Sequence, residues 1–374
     1  MGENESMKIG IISMQRVVNY GSFLQAYGLK KTIEGLGHEV IFLDYKVEPP
    51  VVEYDKKRMV RYQIKNIAPL RKLIRLANYK LKGPESFYYF TYLYENEYLK
   101  KINVTDKRIY REKVDVLVVG SDEVFNCLQP EIKIGFSKEL FGQDANAKKI
   151  ISYAASFGYT TLAGLRKYGV EQKVAGWLKS FDALSVRDNN SVEILKQLGI
   201  EKISKNVDPV IISNYDREIP ASVPYHDYIV LYTYAGRSYS DAEVEQIVSF
   251  AKRNNKKIMT IGKHKDWSDI KIQADPFEVL AYFQHADFIF TDTFHGTVFS
   301  LKYNRPFATL IRDDNSAKLR DLLQTFGLAD REISDVSRLQ EYYDKPIDFT
   351  DCNRIIAEQR EKSLAYLKSE LSGN

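Results

Sequence analysis

Ala286-Asp287-Phe288-Ile289-Phe290-Thr291-Asp292-Thr293-Phe294-His295-Gly296-Thr297-Val298-Phe299-Ser300 reads as the end of a buried strand followed by the start of a helix. The apolar run Phe288–Phe290 stops at polar residues, and a histidine, a glycine and a small-residue segment follow. In an open α/β sheet the carboxyl ends of parallel strands are where ligands bind. The N–H groups of a helix start favour an anion there. His295 is the ionisable side chain at this junction.

Outward from this stretch, apolar runs alternate with helical periodicities. Strands are predicted at Lys8–Ser13, His38–Asp44, Val114–Val119, Lys149–Ala154 and Ala183–Val186, with a helix over Ser22–Leu36 closed by Gly37. A second set follows: strands at Tyr228–Tyr232, Lys257–Ile261, Phe288–Thr291 and Phe307–Ile311, and helices over Ser240–Asn254, Pro276–His285, Gly296–Tyr303 and Ala317–Phe326. Ser240 followed by Glu243 reads as a capping box, and Pro276 suits the first turn of its helix. Runs as apolar as Val116–Val119 suit parallel strands covered on both faces. The chain therefore reads as α/β, with two Rossmann-like domains. We expect a first domain over 1–215 with a helical insertion at about 51–113, a second over 216–345, and a last segment, 346–374, whose helix packs back on the first.

With 54 Lys/Arg against 50 Asp/Glu the net charge is +4, which argues against a dedicated nucleic-acid binder. Two cysteines, Cys127 and Cys352, allow neither a disulfide framework nor a CxxC pair and fit a reducing cytoplasm. No apolar run approaches the length of a membrane span, and Met1–Ser6 lacks the apolar core of a signal peptide. The five histidines show no zinc-ligand spacing, so no metal is expected. The 26 tyrosines suit packed cores better than sugar platforms. Between Val51 and Gly83 stand ten Lys/Arg against Glu53 and Asp55, with Ile64, Ile67, Leu70, Leu73, Ile74 and Ala77 at helical spacing. This basic amphipathic helix, centred on 56–82, is a solvated face, a peripheral contact for an anionic lipid headgroup or lipid-diphosphate acceptor, or, as a third reading, a nucleic-acid contact. An aromatic cluster, Phe87–Tyr94, follows it and reads as packing.

Three further strand ends carry polar groups. Ser121, Asp122 and Asn126 follow Val119. Ser156 and Gly158 follow Ala155. Arg187 follows Val186 and needs an anionic partner, either Asp188 or Asp208 in a structural pair or a bound ligand. Asp122 is equally suited to capping a helix and to acting as a base.

These segments together resemble the polysaccharide pyruvyl transferase family. The resemblance rests on Lys8–Tyr45, Asp115–Asn126 (DVLVVGSDEVFN), Ile151–Gly158 (ISYAASFG), Leu184–Asp188 (LSVRD), Val207–Val210 (VDPV) and Ala286–Phe307 (ADFIFTDTFHGTVFSLKYNRPF). It implies a GT-B-like architecture, two Rossmann-like domains facing across a cleft, with the acceptor on the first and the donor on the second. It also implies transfer of a pyruvyl group from phosphoenolpyruvate to two hydroxyls of one sugar as a cyclic ketal, without a cofactor. The acceptor would be a carbohydrate, free or lipid-linked.

Carried over by position, His295 and Arg187 would bind the donor. Arg187 would grip a carboxylate or phosphate through two parallel bonds, and the Gly296-Thr297 backbone would hold phosphate oxygens. His295 would serve as general acid and Asp122 as general base, with Ser121, Asn19 and Tyr20 as substrate contacts. Some members place an arginine two residues before the histidine. Here Thr293 stands there, so Lys263, Arg312 or Arg320 would supply the missing charge. Competing readings are a nucleotide-sugar glycosyltransferase on the same scaffold and a non-catalytic sugar-binding relative. A dehydrogenase is disfavoured because no GxGxxG follows the first strand.

Overall fold

Ile9, Ile11 and Ile12 leave the first strand no polar face, which suits a strand flanked on both edges and covered on both sides. In the computed structural model it is an interior strand of its sheet, paired on both edges. The structure describes residues 6–372 apart from 66–67, 84–85, 235 and 313–315; at 65 and 68–72 only the backbone is described. Contacts divide the chain into two compact units. One comprises Met1–Asn78, Tyr92–Ser213 and Gln359–Asn374, the other Tyr79–Thr91 and Asn214–Glu358.

The first unit holds β1 (Lys8–Ile12), β2 (Glu39–Phe42), β3 (Val114–Asp122), β4 (Ala147–Ala155), β5 (Leu184–Val186) and β6 (Ile203–Lys205), in the order β2-β1-β3-β4-β5-β6. All pairings are parallel, and Ile9 lies opposite both Val40 and Val116. One face is packed by an aromatic cluster, with Phe125 5.2 Å from Phe141 and 5.3 Å from Phe157. The terminal helix Thr350–Glu370 is tied to this unit by its last turns. There Tyr366 donates to the Ser152 carbonyl, and Glu370 pairs with Lys149.

The second unit holds β7 (Tyr228–Tyr232), β8 (Lys257–Ile261), β9 (Ile270–Ile272), β10 (Phe288–Thr291), β11 (Phe307–Leu310) and β12 (Glu332–Ile333), ordered β12-β11-β10-β7-β8-β9 and also all parallel. The helix Asp241–Arg253 starts in the capping box that Ser240 and Glu243 predict, and Pro276 opens the helix Pro276–His285. Both sheets are the Rossmann-like pair expected.

Three edge strands, β6, β9 and β12, are absent from the sequence prediction; each spans at most 3 residues, too short for a periodic signal. The basic segment is helical on both sides of residues 66–67, over Lys56–Lys65 and Ala68–Lys82. Ile67 lies outside the described residues, as do the side chains of Lys65, Leu70, Arg71 and Lys72. Segment Tyr79–Thr91 belongs with the second unit, where the Lys263 ammonium stands over the Phe87 ring.

Candidate active site

In an open α/β sheet the crevice lies where the strand order reverses. In the first unit that point is between β1 and β3, and it is built by the chain leaving each strand. After β1 the chain turns at Asn19, whose side-chain oxygen accepts from the N–H groups of Gly21 (2.7 Å) and Ser22 (3.3 Å) and so starts the helix Tyr20–Glu34. Asp122 ends β3 with φ 73°, a left-handed conformation that aspartate tolerates better than most residues. Its carboxylate accepts from Ser22 Oγ (2.9 Å) and from the Glu123 N–H (3.0 Å). The Arg187 guanidinium, brought by β5, stands 3.6 Å from Asp122 and 2.7 Å from Asp208. Asp122 keeps 14% exposure, whereas Arg187 and Asp208 keep 4% and 0%. Asp122 is therefore an oriented carboxylate at the surface of a buried ionic cluster.

The other expected contacts of this unit also make bonds within the fold or lie buried in it. Ser121 is fully buried and donates to the Ala154 carbonyl at 2.7 Å. The Asn19 oxygen is the helix cap just described, and Tyr20 is 3% exposed. Arg187 is committed to Asp208, the structural partner that its position left open. Nearby, Gly158 has φ 56°, and a Cβ there would lie 2.4 Å from Asn126 Nδ2, so this turn needs glycine.

In the second unit the order reverses between β7 and β10. Asp292, which follows β10, is fully buried. It accepts from Thr233 Oγ1 (3.0 Å) and the Tyr234 N–H (3.4 Å), and pairs with Arg237 Nε at 2.9 Å, all from the loop after β7. Burial raises the Asp292 pKa, against the pull of Thr233 and Arg237. Lys265, after β8, donates to the Arg237 carbonyl. Its pKa is lowered, chiefly by burial, with Asp292 opposing and Arg237 adding to the shift. The Lys265 ammonium and the Arg312 guanidinium each lie 5.5 Å from the Tyr239 ring centre, and Arg312 also pairs with Glu243 at 2.9 Å. Arg237, Lys265 and Arg312 thus gather around Asp292 and Tyr239 at the carboxyl ends of β7, β8 and β11.

The helix Phe294–Lys302 starts at the same end of the sheet. Val298, Phe299 and Leu301 bury its inner face, and the half-buried His295 ring packs edge-on against Phe294 (5.4 Å) and 6.0 Å from Phe299. Thr293 caps the helix by accepting from the Gly296 N–H at 2.9 Å, and the Thr297 N–H donates to the Thr293 carbonyl. A Cβ on Gly296 would lie 2.2 Å from Thr291 Oγ1, so glycine is required by close packing of the threonines. The N–H groups expected to hold phosphate oxygens are therefore used in the cap. The Thr297 hydroxyl likewise lies between the Thr293 carbonyl and Thr309, 3.0 Å from each. Of the substitutes for a cation at position 293, Arg320 is bonded to Glu332 and Lys263 stands over Phe87.

Ser22, Arg237, Asp292 and Lys265 have no predicted role in the sequence. The rule that finds His295, polar residues just past a buried strand, applies equally to the ends of β7 and β8 and reaches Arg237 and Lys265. The Ser22–Asp122 bond, 100 residues apart in sequence, leaves no local signal. Among the described residues no cluster of His, Cys, Asp and Glu has the makings of a metal site.

Compared with known proteins, the chain matches the family model for polysaccharide pyruvyl transferase over residues 19–315. No curated protein matches it. Among solved structures it is similar to S. aureus MnaA in its UDP co-structure, with 12% identity and a TM-score of 0.51 over 96% of this chain and 92% of that one. It also aligns with the glycotransferase of kitacinnamycin (13%, TM-score 0.49, 98% of each chain) and with UDP-GlcNAc 2-epimerase from Neisseria meningitidis bound to UDP-GlcNAc (12%, TM-score 0.46, 94% of this chain and 99% of that one). At 12% identity the MnaA likeness speaks for the fold alone, two Rossmann-like units of the GT-B-like class. The family match spans most of the chain and runs through both sheets, and on that ground this protein belongs to the polysaccharide pyruvyl transferase family.

Proposed function

We propose that the protein transfers the pyruvyl group of phosphoenolpyruvate to two hydroxyls of a sugar in a cell-surface polysaccharide or its lipid-linked precursor, forming a cyclic ketal and releasing inorganic phosphate. The observation that carries the reading is the set of cations at the carboxyl ends of β7, β8 and β11 in the second unit, Arg237, Lys265 and Arg312, on the sheet that also presents His295. A donor with a carboxylate and a phosphate needs charge-assisted hydrogen bonds. Asp292 holds Arg237 by its Nε, an arrangement that suits presentation of the guanidinium to a second anion.

In this reading His295 protonates the methylene carbon of the donor while a sugar hydroxyl adds to C2. Asp122, oriented by Ser22, takes up the hydroxyl proton. The second hydroxyl then displaces phosphate from the same carbon, and its proton leaves with the phosphate. Arg187, beside Asp122, acts through it as a positioning residue. A lipid-linked acceptor goes with a cytoplasmic protein that makes peripheral contact with the membrane through the basic segment 56–82.

The test is phosphate release from phosphoenolpyruvate in the presence of acceptor, with the ketal followed by mass spectrometry. The second reading, a nucleotide-sugar glycosyltransferase, is favoured only by the fold likeness to a protein solved with UDP. Thermal shift separates the two. Stabilisation by phosphoenolpyruvate and not by a uridine-diphosphate sugar supports pyruvyl transfer, and the reverse refutes it.

A further inference from the structure

The two helices Lys56–Lys65 and Ala68–Lys82 concentrate both charge and exposed apolar surface. From Lys56 to Lys82 there are ten Lys/Arg and no Asp or Glu, although the whole chain is only +4. The positive charge of this protein is therefore local, and the rest of the chain is net negative. Among the described residues, the exposed large aliphatic side chains all fall here: Val60 (55%), Ile64 (50%), Leu73 (67%) and Leu81 (79%), with Leu76 beside them. Outside Val60–Tyr88 the exposed large apolar residues among those described are all tyrosines.

Exposure follows the helical repeat. On the second helix Leu73, Leu76, Ala77, Lys80 and Leu81 are exposed, at spacings that share one face, while Ile74, Arg75, Asn78 and Tyr79 are half-buried. The inner face is anchored: Arg75 pairs with Glu95, and Tyr79 stacks on Tyr89 at 4.8 Å. On the first helix Met59 is buried and Val60 and Ile64 point out, with Lys56, Lys57 and Arg61 exposed around them. Exposed charge alone would fit any polyanion. Leucines set between lysines on the outward face fit a partner with an anionic surface over an apolar interior, which is the chemistry of an interfacial helix.

We infer that the outward faces of these two helices seat the protein on an anionic lipid bilayer, with Val60, Ile64, Leu73, Leu76 and Leu81 entering the headgroup boundary and the flanking Lys and Arg pairing with lipid phosphates. The inference rests on the membrane contact in the proposed function and gives it a surface and a lipid chemistry, but it is separable from pyruvyl transfer: a protein that binds vesicles and transfers nothing keeps this surface and loses the activity.

The experiment is cosedimentation of the full chain with vesicles of phosphatidylcholine alone and of phosphatidylcholine mixed with phosphatidylglycerol. We expect binding to the mixed vesicles only. Raising salt from about 0.1 M to about 0.5 M should weaken it by screening. The variant Leu73→Gln/Leu76→Gln/Leu81→Gln and the variant Lys80→Glu/Lys82→Glu should each raise the lipid needed for half-binding by about tenfold or more. These positions are exposed, so both variants should keep the wild-type melting temperature. Absence of binding to mixed vesicles overturns the inference, as does equal binding by the leucine variant. Concentration-dependent self-association without lipid that the leucine variant abolishes would overturn it in favour of a second copy. Binding of soluble heparin by wild type and leucine variant alike, without vesicle binding, would overturn it in favour of a soluble polyanion.

Discussion

His295 and Arg187 look alike in the sequence, each a basic residue just past a buried strand, but the structure separates them. The His295 ring is half-buried at a helix start. Its replacement by alanine is expected to lower phosphate release by about 100-fold or more while leaving the melting temperature nearly unchanged. A folded His295→Ala variant with wild-type turnover would remove the ring from the chemistry. Arg187 is closed on Asp208 inside the first unit. Arg187→Ala would strand a buried carboxylate and is expected to lose about 3–5 kcal/mol in urea unfolding. Unchanged stability with weakened donor binding would instead make Arg187 the ligand clamp that the sequence allows. Burial pushes the Cys352 thiol up to about 11 and raises that of Cys127 as well. Neither should react with a disulfide reagent at about pH 8 until the protein is denatured, whereupon both should. A fast-reacting thiol in the folded protein would contradict the burial of that cysteine.

At the scale of elements, what is local along the chain is legible in the sequence and what is not is hidden. Ser240 and Glu243 are three apart, so the residue order alone announces their capping box. Ser240→Ala should cost about 1 kcal/mol in unfolding free energy, and an unchanged value would mean the box contributes nothing. The strands Tyr228–Tyr232, Lys257–Ile261 and Phe288–Thr291 are legible for the same reason, since each is a short apolar run bounded by polar residues. Ser121 reads as a substrate contact because its partner, Ala154 on the neighbouring strand, is 33 residues away. Thr293, Gly296 and Thr297 are recognisable as a helix start, but not as a cap that consumes its own N–H groups. Gly296→Ala tests that cap: the added methyl meets Thr291 Oγ1 and Thr293 Oγ1, and the expected loss is about 1–3 kcal/mol. A tolerated alanine with weakened donor binding would return Gly296 to a direct ligand role.

At the scale of the whole molecule, two sheets of the same construction place their polar clusters at equivalent points, where strand order reverses. The first carries Asp122 with Ser22 and Arg187, the second Asp292 with Arg237. The equivalence is half legible. DVLVVGSDEVFN and FIFTDTFHGT announce their strand ends directly, whereas Arg237 lies in the loop past Tyr232, which the strand-end rule reaches but no motif singles out. No described helix is long and apolar enough to cross a membrane. The most direct test of donor identity is a crystal of the full chain soaked with phosphoenolpyruvate. The expected density places the phosphate and carboxylate within hydrogen-bond reach of Arg237 and His295. Empty density at those strand ends after the soak, with a uridine-diphosphate sugar bound there in a parallel soak, would contradict pyruvyl transfer.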